Sequence, residues 1–405
     1  MLATNVLFFL YLIYHLIQNN YLPSPFIYDK NDTFMDFFNP LYWAYNEDRY
    51  TQWLSVYPPL DFLILKGLHV ITGGSFQADP FSLRDSGNNI IALLVFIFLA
   101  SPLLVLANIK DKCFGSLEKI IIYFIFIFSV PFLFTLERGN LIIFALPLVS
   151  VLFLKNNNLL KVISISILIN IKPYFVVLAL PFILKKKWDE FIKTIFFSTA
   201  IYSISSIILG NDFFDFLLNI ITFESNIFSL REILAMPSSI MSIYIFLQNY
   251  VPSSSSLYNP MYIFSIIILF AYITLAIFIV YISIKYKNNI SEVEFYLIIL
   301  ISMTVFFYQI GGYSIILYLS LVPILYREFK YGLFIVIIIF MPTDLIPLYS
   351  DLMIGKESFF SNFKIDINYN LGLGSILRPS LNYLLLAYIS FKIFDRIKQQ
   401  KKIRQ

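Results

Sequence analysis

Apolar segments long enough to cross a membrane recur along this chain and leave little room for a soluble domain. A spanning helix needs roughly 20 apolar residues, or fewer where the bilayer thins around it. Only 13% of the 405 residues are charged, whereas soluble domains average about 25%. We therefore predict an all-α polytopic membrane protein. Its ten predicted crossings are residues 2–17, 87–109, 120–136, 140–154, 191–209, 260–284, 294–310, 313–326, 331–349 and 380–394.

A further apolar segment, residues 162–184, is interrupted at Lys172 and Pro173. Proline lacks a backbone donor and biases the preceding residue away from helical geometry. A single crossing would put the basic residues 155–161 and 185–187 on opposite sides of the membrane. A segment that folds back puts both on one side. We therefore predict a re-entrant helix pair with Lys172 at its tip.

The distribution of basic residues gives the orientation. With the re-entrant pair in place, most of the 29 lysines and arginines fall on one side, which the positive-inside rule identifies as cytoplasmic. Both termini are then cytoplasmic, and the long loops 18–86, 210–258 and 350–379 lie outside. The N-terminus lacks a basic n-region and a small-residue cleavage site, so we expect the first helix to be retained. We predict one integral domain over residues 1–405, in the cytoplasmic membrane of a bacterium.

The residue types disfavour several kinds of chemistry. The predicted cytoplasmic loops contain no glycine-rich phosphate-binding loop, so a nucleotide or nucleotide-sugar substrate has no evident site. Cys113 is the only cysteine, and neither His15 nor His69 belongs to a ligand-spaced set, which argues against a zinc site and a catalytic triad. The cations are not gathered on a nucleic-acid face. We expect no metal, no cofactor and no nucleic-acid partner.

The first outer loop holds the strongest concentration of polar residues. Residues 29–67 include six acids, Arg49 and two of the three tryptophans. Asp36 has phenylalanines on both sides, which favours a desolvated carboxylate suited to act as a general base. Asp32 and Asp29 are competing candidates, since either is alternatively a solvated loop acid.

Other residues of this loop have structural interpretations. Asp48 lies next to Arg49 and is interpreted as its ion-pair partner. Tyr57-Pro58-Pro59 sets the entry angle of the next segment because two prolines fix the backbone. That segment, residues 60–70, is interpreted as an interfacial helix with Asp61 among its apolar residues. Four aromatic residues are candidates either for stacking on a sugar or for an interfacial belt, and for each one the belt is favoured: Tyr42, Trp43, Tyr50 and Trp53.

Three sites place charge at membrane depth, where retained charges usually line a cavity because each costs at least a few kcal/mol in hydrocarbon. The first is the turn Glu137-Arg138-Gly139-Asn140, the second is Lys172, and the third is Arg378, which Pro379 follows. A lysine at a broken helix tip suits a phosphate drawn in from the bilayer. The alternatives are a local Glu137–Arg138 pair and, for Lys172, a structural ion pair.

Three stretches carry a resemblance to a known family. They are DFFNPLYWAYNEDRYTQWLSVYPPLDFL (36–63), RGNLIIFALPLVSVL (138–152) and ISILINIKPYFVVLALPFIL (165–184). In order and predicted topology they resemble glycosyltransferase family 87 of the GT-C superfamily. The resemblance runs through residues 30–190 and weakens afterwards. The chain differs from the family at residues 137–140, where Gly-Gln-Asn-like turns are commoner.

The resemblance implies a GT-C-like helical bundle that transfers a sugar outside the cytoplasm, in the synthesis of a cell-envelope glycolipid or polysaccharide. The donor would be a hexose or pentose, first of all a mannosyl-like sugar, on a polyprenyl phosphate, and the acceptor a glycan or glycolipid. The resemblance implies an aspartate base in the first outer loop, for which Asp36 is the candidate. The candidate substrate-binding residues are Lys172, Arg138, Arg49, Arg378, Asn140, Tyr57 and Tyr174, with Tyr313 as a further cavity residue.

Two alternatives share this pattern. A flippase or transporter of lipid-linked sugars would need the same cavity and cations, but no isolated carboxylate base. A polysaccharide polymerase or ligase tends to carry its arginines in large later outer loops, whereas residues 210–258 hold only Arg231.

Overall fold

The structure is a computed structural model. It describes residues 2–23, 26, 31–106, 115–154, 157–210, 213–222, 237–249, 258–307, 312–357 and 364–404. For residues 101–106, 213, 249, 258, 349–357, 364–371 and 404 the main chain alone is described. Asp29, Cys113 and Arg231 lie outside the described residues.

Helices make up 80% of the structure, which confirms the all-α class. The α-helices are α1 Leu2–Asn19, α2 Met35–Trp43, α3 Pro59–Ile71, α4 Pro80–Asp85, α5 Ile90–Leu106, α6 Ser116–Ile127, α7 Val130–Arg138, α8 Ala145–Val151, α9 Asn158–Ile171, α10 Leu180–Leu184, α11 Trp188–Leu209, α12 Phe213–Thr222, α13 Ile240–Asn249, α14 Tyr258–Lys285, α15 Glu292–Phe306, α16 Val322–Glu328, α17 Lys330–Ile339 and α18 Gly374–Arg404. Between them lie the 3₁₀ segments Glu47–Arg49, Leu141–Phe144, Pro173–Ala179, Gly312–Leu321 and Thr343–Leu345.

Three of the described helices have the length and composition of membrane spans: α1, α11 and residues Asn259–Lys285 of α14. Helices α6 and α7 make a fourth span if taken together, although they are bent by 54°. The predicted crossing 380–394 lies within the 31-residue helix α18, and the remaining crossings correspond to shorter helices or to helices joined to 3₁₀ segments. Ten crossings therefore stay a prediction.

Three of the predicted crossings are not continuous α-helices. Segment 120–136 is broken between Ile127 and Val130, and Pro131 lies in the first turn of α7, where its missing N–H costs no helical hydrogen bond. Segment 313–326 is largely a 3₁₀ helix, Gly312–Leu321. Segment 331–349 stops being helical at Ile339, shortly before Pro342.

A β-hairpin was not predicted. Strands β1, Pro347–Glu357, and β2, Lys364–Gly372, pair antiparallel from Pro347 opposite Gly372 to Glu357 opposite Lys364. It occupies much of the predicted outer loop 350–379, where hydropathy alone gives no spanning signal.

The two ends of the predicted re-entrant pair meet. Lys187 Nζ lies 3.4 Å from Asn158 Oδ1, at the start of α9. Lys161 and Lys187 both pair with the Glu292 carboxylate, the former at 2.7 Å. Burial works to raise the pKa of Glu292, but the hydrogen bonds and charges of the two lysines outweigh it and hold that pKa below its usual value. This closed end supports the hairpin prediction.

The main core packs the first long loop against the apolar helices that follow it. Phe37, Phe38 and Leu41 of α2 are fully buried in one cluster with Leu65 of α3 and Leu141. Because α2 is anchored by its apolar side, its first turn is fixed in position relative to the turn that follows α7.

Candidate active site

Asp36 lies in the first turn of α2. Phe34, the residue that precedes this helix, has a left-handed backbone (φ 61°), and its N–H donates to the Glu137 carbonyl at 2.9 Å. The main chain thus joins the start of α2 to the end of α7.

The turn at residues 137–140 fits closely against α2. Gly139 ends α7 with φ 69°, and a Cβ at this position would lie 2.7 Å from Cβ of Phe37. Only glycine satisfies both the left-handed backbone and this close approach. Glu137 turns inward and accepts a hydrogen bond from Thr33 Oγ1 at 2.9 Å. Asn140 accepts one from the Ile142 N–H and so caps the following 3₁₀ segment.

Both oxygens of the Asp36 carboxylate are engaged by this turn. Arg138 Nη2 donates to Oδ1 at 2.8 Å, and Asn140 Nδ2 donates to Oδ2 at 2.9 Å. Arg138 also lies 3.3 Å from the Asp32 carboxylate, whose side chain is 37% exposed, against 14% for Asp36. The predicted residues Asp36, Arg138 and Asn140 therefore lie together, and Asp36 is the more buried of the two acids.

Lys172 comes from a different part of the chain and interacts electrostatically with Asp36. Its backbone is extended (φ −144°, ψ 116°), as expected before a proline, and it separates α9 from the 3₁₀ segment Pro173–Ala179. Its Nζ lies 4.0 Å from the centre of the Tyr57 ring, a close cation–π contact. Tyr57 is held by the prolines that begin α3. Asp36 and Asp61 both act electrostatically on the Lys172 ammonium.

Asp61 is a buried acid to which the sequence interpretation gave no site role. Its side chain is fully buried, and among the described residues neither of its carboxylate oxygens has a hydrogen-bond partner. Burial raises the pKa of Asp61 well above its usual value, and the charge of Lys172 acts in the opposite direction. A signal was present in the sequence, because Asp61, Leu65 and His69 share one helical face and all three are buried.

Two tyrosines complete the cluster. Tyr174 follows Pro173, and Tyr313 belongs to the segment Gly312–Leu321; both interact electrostatically with the groups named above. The side chains of Tyr57, Lys172 and Tyr174 each keep some water-accessible surface.

Two predicted cations are engaged elsewhere. Arg378 is fully buried and pairs through both terminal nitrogens with Asp344, at 3.0 Å for Nη1. Arg49 is also buried, and its guanidinium donates to the main-chain carbonyls of Trp43 and Leu209, each at 3.2 Å. These bonds support structural roles: Arg378 anchors the start of α18, and Arg49 anchors the first loop to the end of α11.

The aromatic residues of the first loop pack on one another. Trp43 and Trp53 are stacked with their ring centres 6.3 Å apart, and Tyr42 is stacked on Phe76 at 5.8 Å. His69 is buried between the Tyr45 hydroxyl at 2.7 Å and Asn89 at 3.0 Å. These contacts stabilise the folded conformation of the first loop.

One family model, described as glycosyltransferase family 87, matches residues 56–309, more than half of the chain. The match includes Tyr57, Asp61, Arg138 and Lys172, begins after Asp36, and continues well beyond residue 190. No curated protein and no solved structure matches.

Proposed function

The chain belongs to glycosyltransferase family 87, and on that premise we propose that it transfers a sugar from a polyprenyl-phosphate carrier to an acceptor hydroxyl, with Asp36 as general base. Membership makes the protein a membrane glycosyltransferase. Beyond membership, we propose the polyprenyl-phosphate donor, the acceptor hydroxyl and the role of Asp36 as the base.

One observation carries it: Arg138 and Asn140 each donate a hydrogen bond to the Asp36 carboxylate, and a second cation, Lys172, lies against the Tyr57 ring and interacts electrostatically with that carboxylate. Transfer from a polyprenyl phosphate needs these two kinds of group. The phosphate is a good leaving group and needs no protonating acid, whereas the acceptor hydroxyl must lose a proton as it attacks.

The proposed step forms one bond, breaks one bond and transfers one proton. The acceptor oxygen forms a bond to the anomeric carbon, and the bond from that carbon to the phosphate oxygen breaks. The electron pair of the broken bond leaves with the polyprenyl phosphate. Asp36 takes the acceptor proton, and Arg138 and Lys172 stabilise the negative charge on the departing phosphate.

The hydrogen bonds to Asp36 are compatible with this role. A carboxylate has about four lone-pair positions, and Arg138 and Asn140 occupy one on each oxygen. A lone pair is left for the acceptor hydroxyl, and the two donors hold the carboxylate in one orientation.

We further propose that the reaction takes place at the outer face of a bacterial cytoplasmic membrane, with both termini of the chain in the cytoplasm. The donor carries a hexose or a pentose, and the acceptor is a glycan or a glycolipid.

The test is sugar transfer in detergent, where there is no compartment to transport across. The purified protein receives a synthetic polyprenyl-phosphate sugar, and product is measured against glycan and glycolipid acceptors. Asp36→Asn keeps the shape but accepts no proton, so turnover should fall by ~10²–10⁴-fold with donor binding retained. Asp32→Asn is the matched control, because Asp32 contacts the same arginine.

Survival of turnover in Asp36→Asn with its loss in Asp32→Asn would move the base to Asp32. Absence of transfer from every polyprenyl-phosphate donor, with donor binding intact, would favour a flippase. Transfer only from diphosphate-linked oligosaccharides would favour a polymerase or ligase.

A further inference from the structure

The ring of Tyr57 and the ammonium of Lys172 are in direct contact, although the two residues come from distant parts of the chain. Lys172 Nζ lies 4.0 Å from the centre of the ring, well inside the separation of about 6 Å at which a ring face attracts a cation. The face of an aromatic ring carries partial negative charge, so the contact favours the protonated amine. Both side chains are half-buried, and such a contact is stronger where water is partly excluded.

The Tyr57 ring is held firmly in position by the first loop. The Tyr57 N–H donates to Ser55 Oγ at 3.1 Å, and the Tyr57 carbonyl accepts a hydrogen bond from the Tyr50 hydroxyl at 3.0 Å. The ring itself packs against Trp43 and Phe62, with ring centres 6.3 Å and 6.4 Å apart. A proline follows Tyr57 and restricts its backbone further. The ring is therefore a fixed surface rather than a mobile one.

The Lys172 side chain has less to hold it. Pro173 restricts its backbone, but the side chain is a flexible four-carbon stem. Its ammonium forms no hydrogen bond and no ion pair within the described part of the chain. Asp61 and Asp36 act on the ammonium electrostatically, yet neither forms an ion pair with it. The contact with Tyr57 is thus the one that restrains the end of this side chain among the described residues.

A ring face suits a lysine that must bind a phosphate. A carboxylate paired with the ammonium would neutralise its charge and occupy its N–H donors. A ring has no net charge, and it attracts the cation through its quadrupole. The ammonium of Lys172 therefore keeps its positive charge and its three N–H donors for another anion.

We propose that Tyr57 is a positioning residue of the donor site, whose ring face holds the Lys172 ammonium in place for the donor phosphate. This proposal rests on the proposed function, since it assigns the phosphate of that donor to Lys172. The sequence made Tyr57 itself a candidate for substrate binding, whereas this contact gives it a role that acts through Lys172.

The first test compares two substitutions of Tyr57. The probe is the methyl ester of a short polyprenyl phosphate, a phosphodiester like the phosphate of the proposed donor, and its Kd is measured calorimetrically in detergent. Tyr57→Phe keeps the ring and should bind within about twofold of the wild type, because the ring face supplies the attraction. Tyr57→Leu removes the ring and should bind about 10-fold more weakly, because an unrestrained lysine must then be immobilised on binding.

The second test changes the charge of the ring with little change in its shape. Phenylalanine with one, two or three ring fluorines is incorporated at position 57. Each fluorine withdraws negative charge from the ring face and weakens its attraction for a cation. The Kd should therefore rise stepwise with the number of fluorines. This series preserves the packing of the ring, so it tests the proposal even if Tyr57→Leu does not fold.

Two controls separate this effect from general damage to the loop. In a Lys172→Met background, Tyr57→Leu should cause no further loss of binding, because the cation that the ring holds is absent. Phe76→Leu makes a matched exchange at a ring of the same loop that is 50% exposed, and it should leave the Kd unchanged.

A Kd that does not depend on fluorination would overturn the proposal, as would an equal effect of Tyr57→Leu with and without the Lys172 charge. Equal losses in Tyr57→Phe and Tyr57→Leu would assign the effect to the hydroxyl and overturn it as well. Sugar transfer is measured separately. A wild type that binds the phosphodiester with the expected stepwise response, but transfers no sugar, would overturn the proposed reaction alone. Wild-type transfer with a flat fluorine series would overturn the role of Tyr57 alone.

Discussion

Arg138 donates a 2.8 Å hydrogen bond to Asp36, although 102 residues separate them. The contact joins the end of α7 to the start of α2. It depends on a turn in which Gly139 lies directly against Phe37. The orientation of the proposed base is therefore set by the backbone of a different helix.

We expect Gly139→Ala to destabilise the protein by more than the strain of a left-handed alanine alone. A left-handed non-glycine residue costs about 1–2 kcal/mol, and the 2.7 Å approach to Phe37 adds an overpacking cost of about 1–3 kcal/mol. Gly73→Ala is the matched control, since Gly73 has φ 68° and open space around a Cβ. Thermal unfolding in detergent should show a larger loss for Gly139→Ala, together with lower transfer. Equal losses in the two variants would argue against the close fit.

Lys172→Met should weaken use of the donor while the protein still inserts. It keeps much of the length and removes the charge, and a contact to a charged group is worth ~2–3 kcal/mol, or roughly 30- to 160-fold in donor KM. Lys66→Met is the control, because Lys66 lies on α3 over the Tyr45 ring. An unchanged donor KM in Lys172→Met would show that Lys172 is structural.

The re-entrant pair makes a topological prediction. Cys113 is the only cysteine, so Cys113→Ser gives a clean background. Cysteines placed at Asn157 and Lys186, both exposed, should react with an impermeant maleimide only from the cytoplasmic side. A cysteine at Ile71, which is 84% exposed on α3, should react only from the outside. Labelling of the first two sites from opposite sides would mean that residues 158–184 cross the membrane once.

Arg378 should prove structural rather than substrate-binding. Its ion pair with Asp344 is fully buried, and removal of one partner from such a pair costs about 3–5 kcal/mol because the other charge stays buried and unpaired. Arg378→Met and Asp344→Asn should each lower the free energy of unfolding by that amount. The double variant should lose less than the sum of the two. A stable Arg378→Met with a raised donor KM would return Arg378 to the donor site.

Hydropathy, charge distribution and turn chemistry are local properties, and they determined much of what is known about this protein. The apolar segments gave the all-α membrane class, and the order of three stretches gave the family. Pro173 placed a break after Lys172, and the Arg138-Gly139-Asn140 sequence marked a polar turn between apolar segments. Each of these depends on residues that are near one another in sequence.

Tertiary structure decided which charges meet. The sequence singled out Asp36 but could not show that Arg138 and Asn140, more than 100 residues away, hold its two oxygens. It gave Asp61 no role, because burial of a helix face depends on what packs against that face. It made Arg378 a candidate for substrate binding, whereas in the folded protein the charge of Arg378 is paired with that of Asp344. An ion pair requires two side chains to approach within about 4 Å, and the path of the chain between them, not their spacing in sequence, sets that distance.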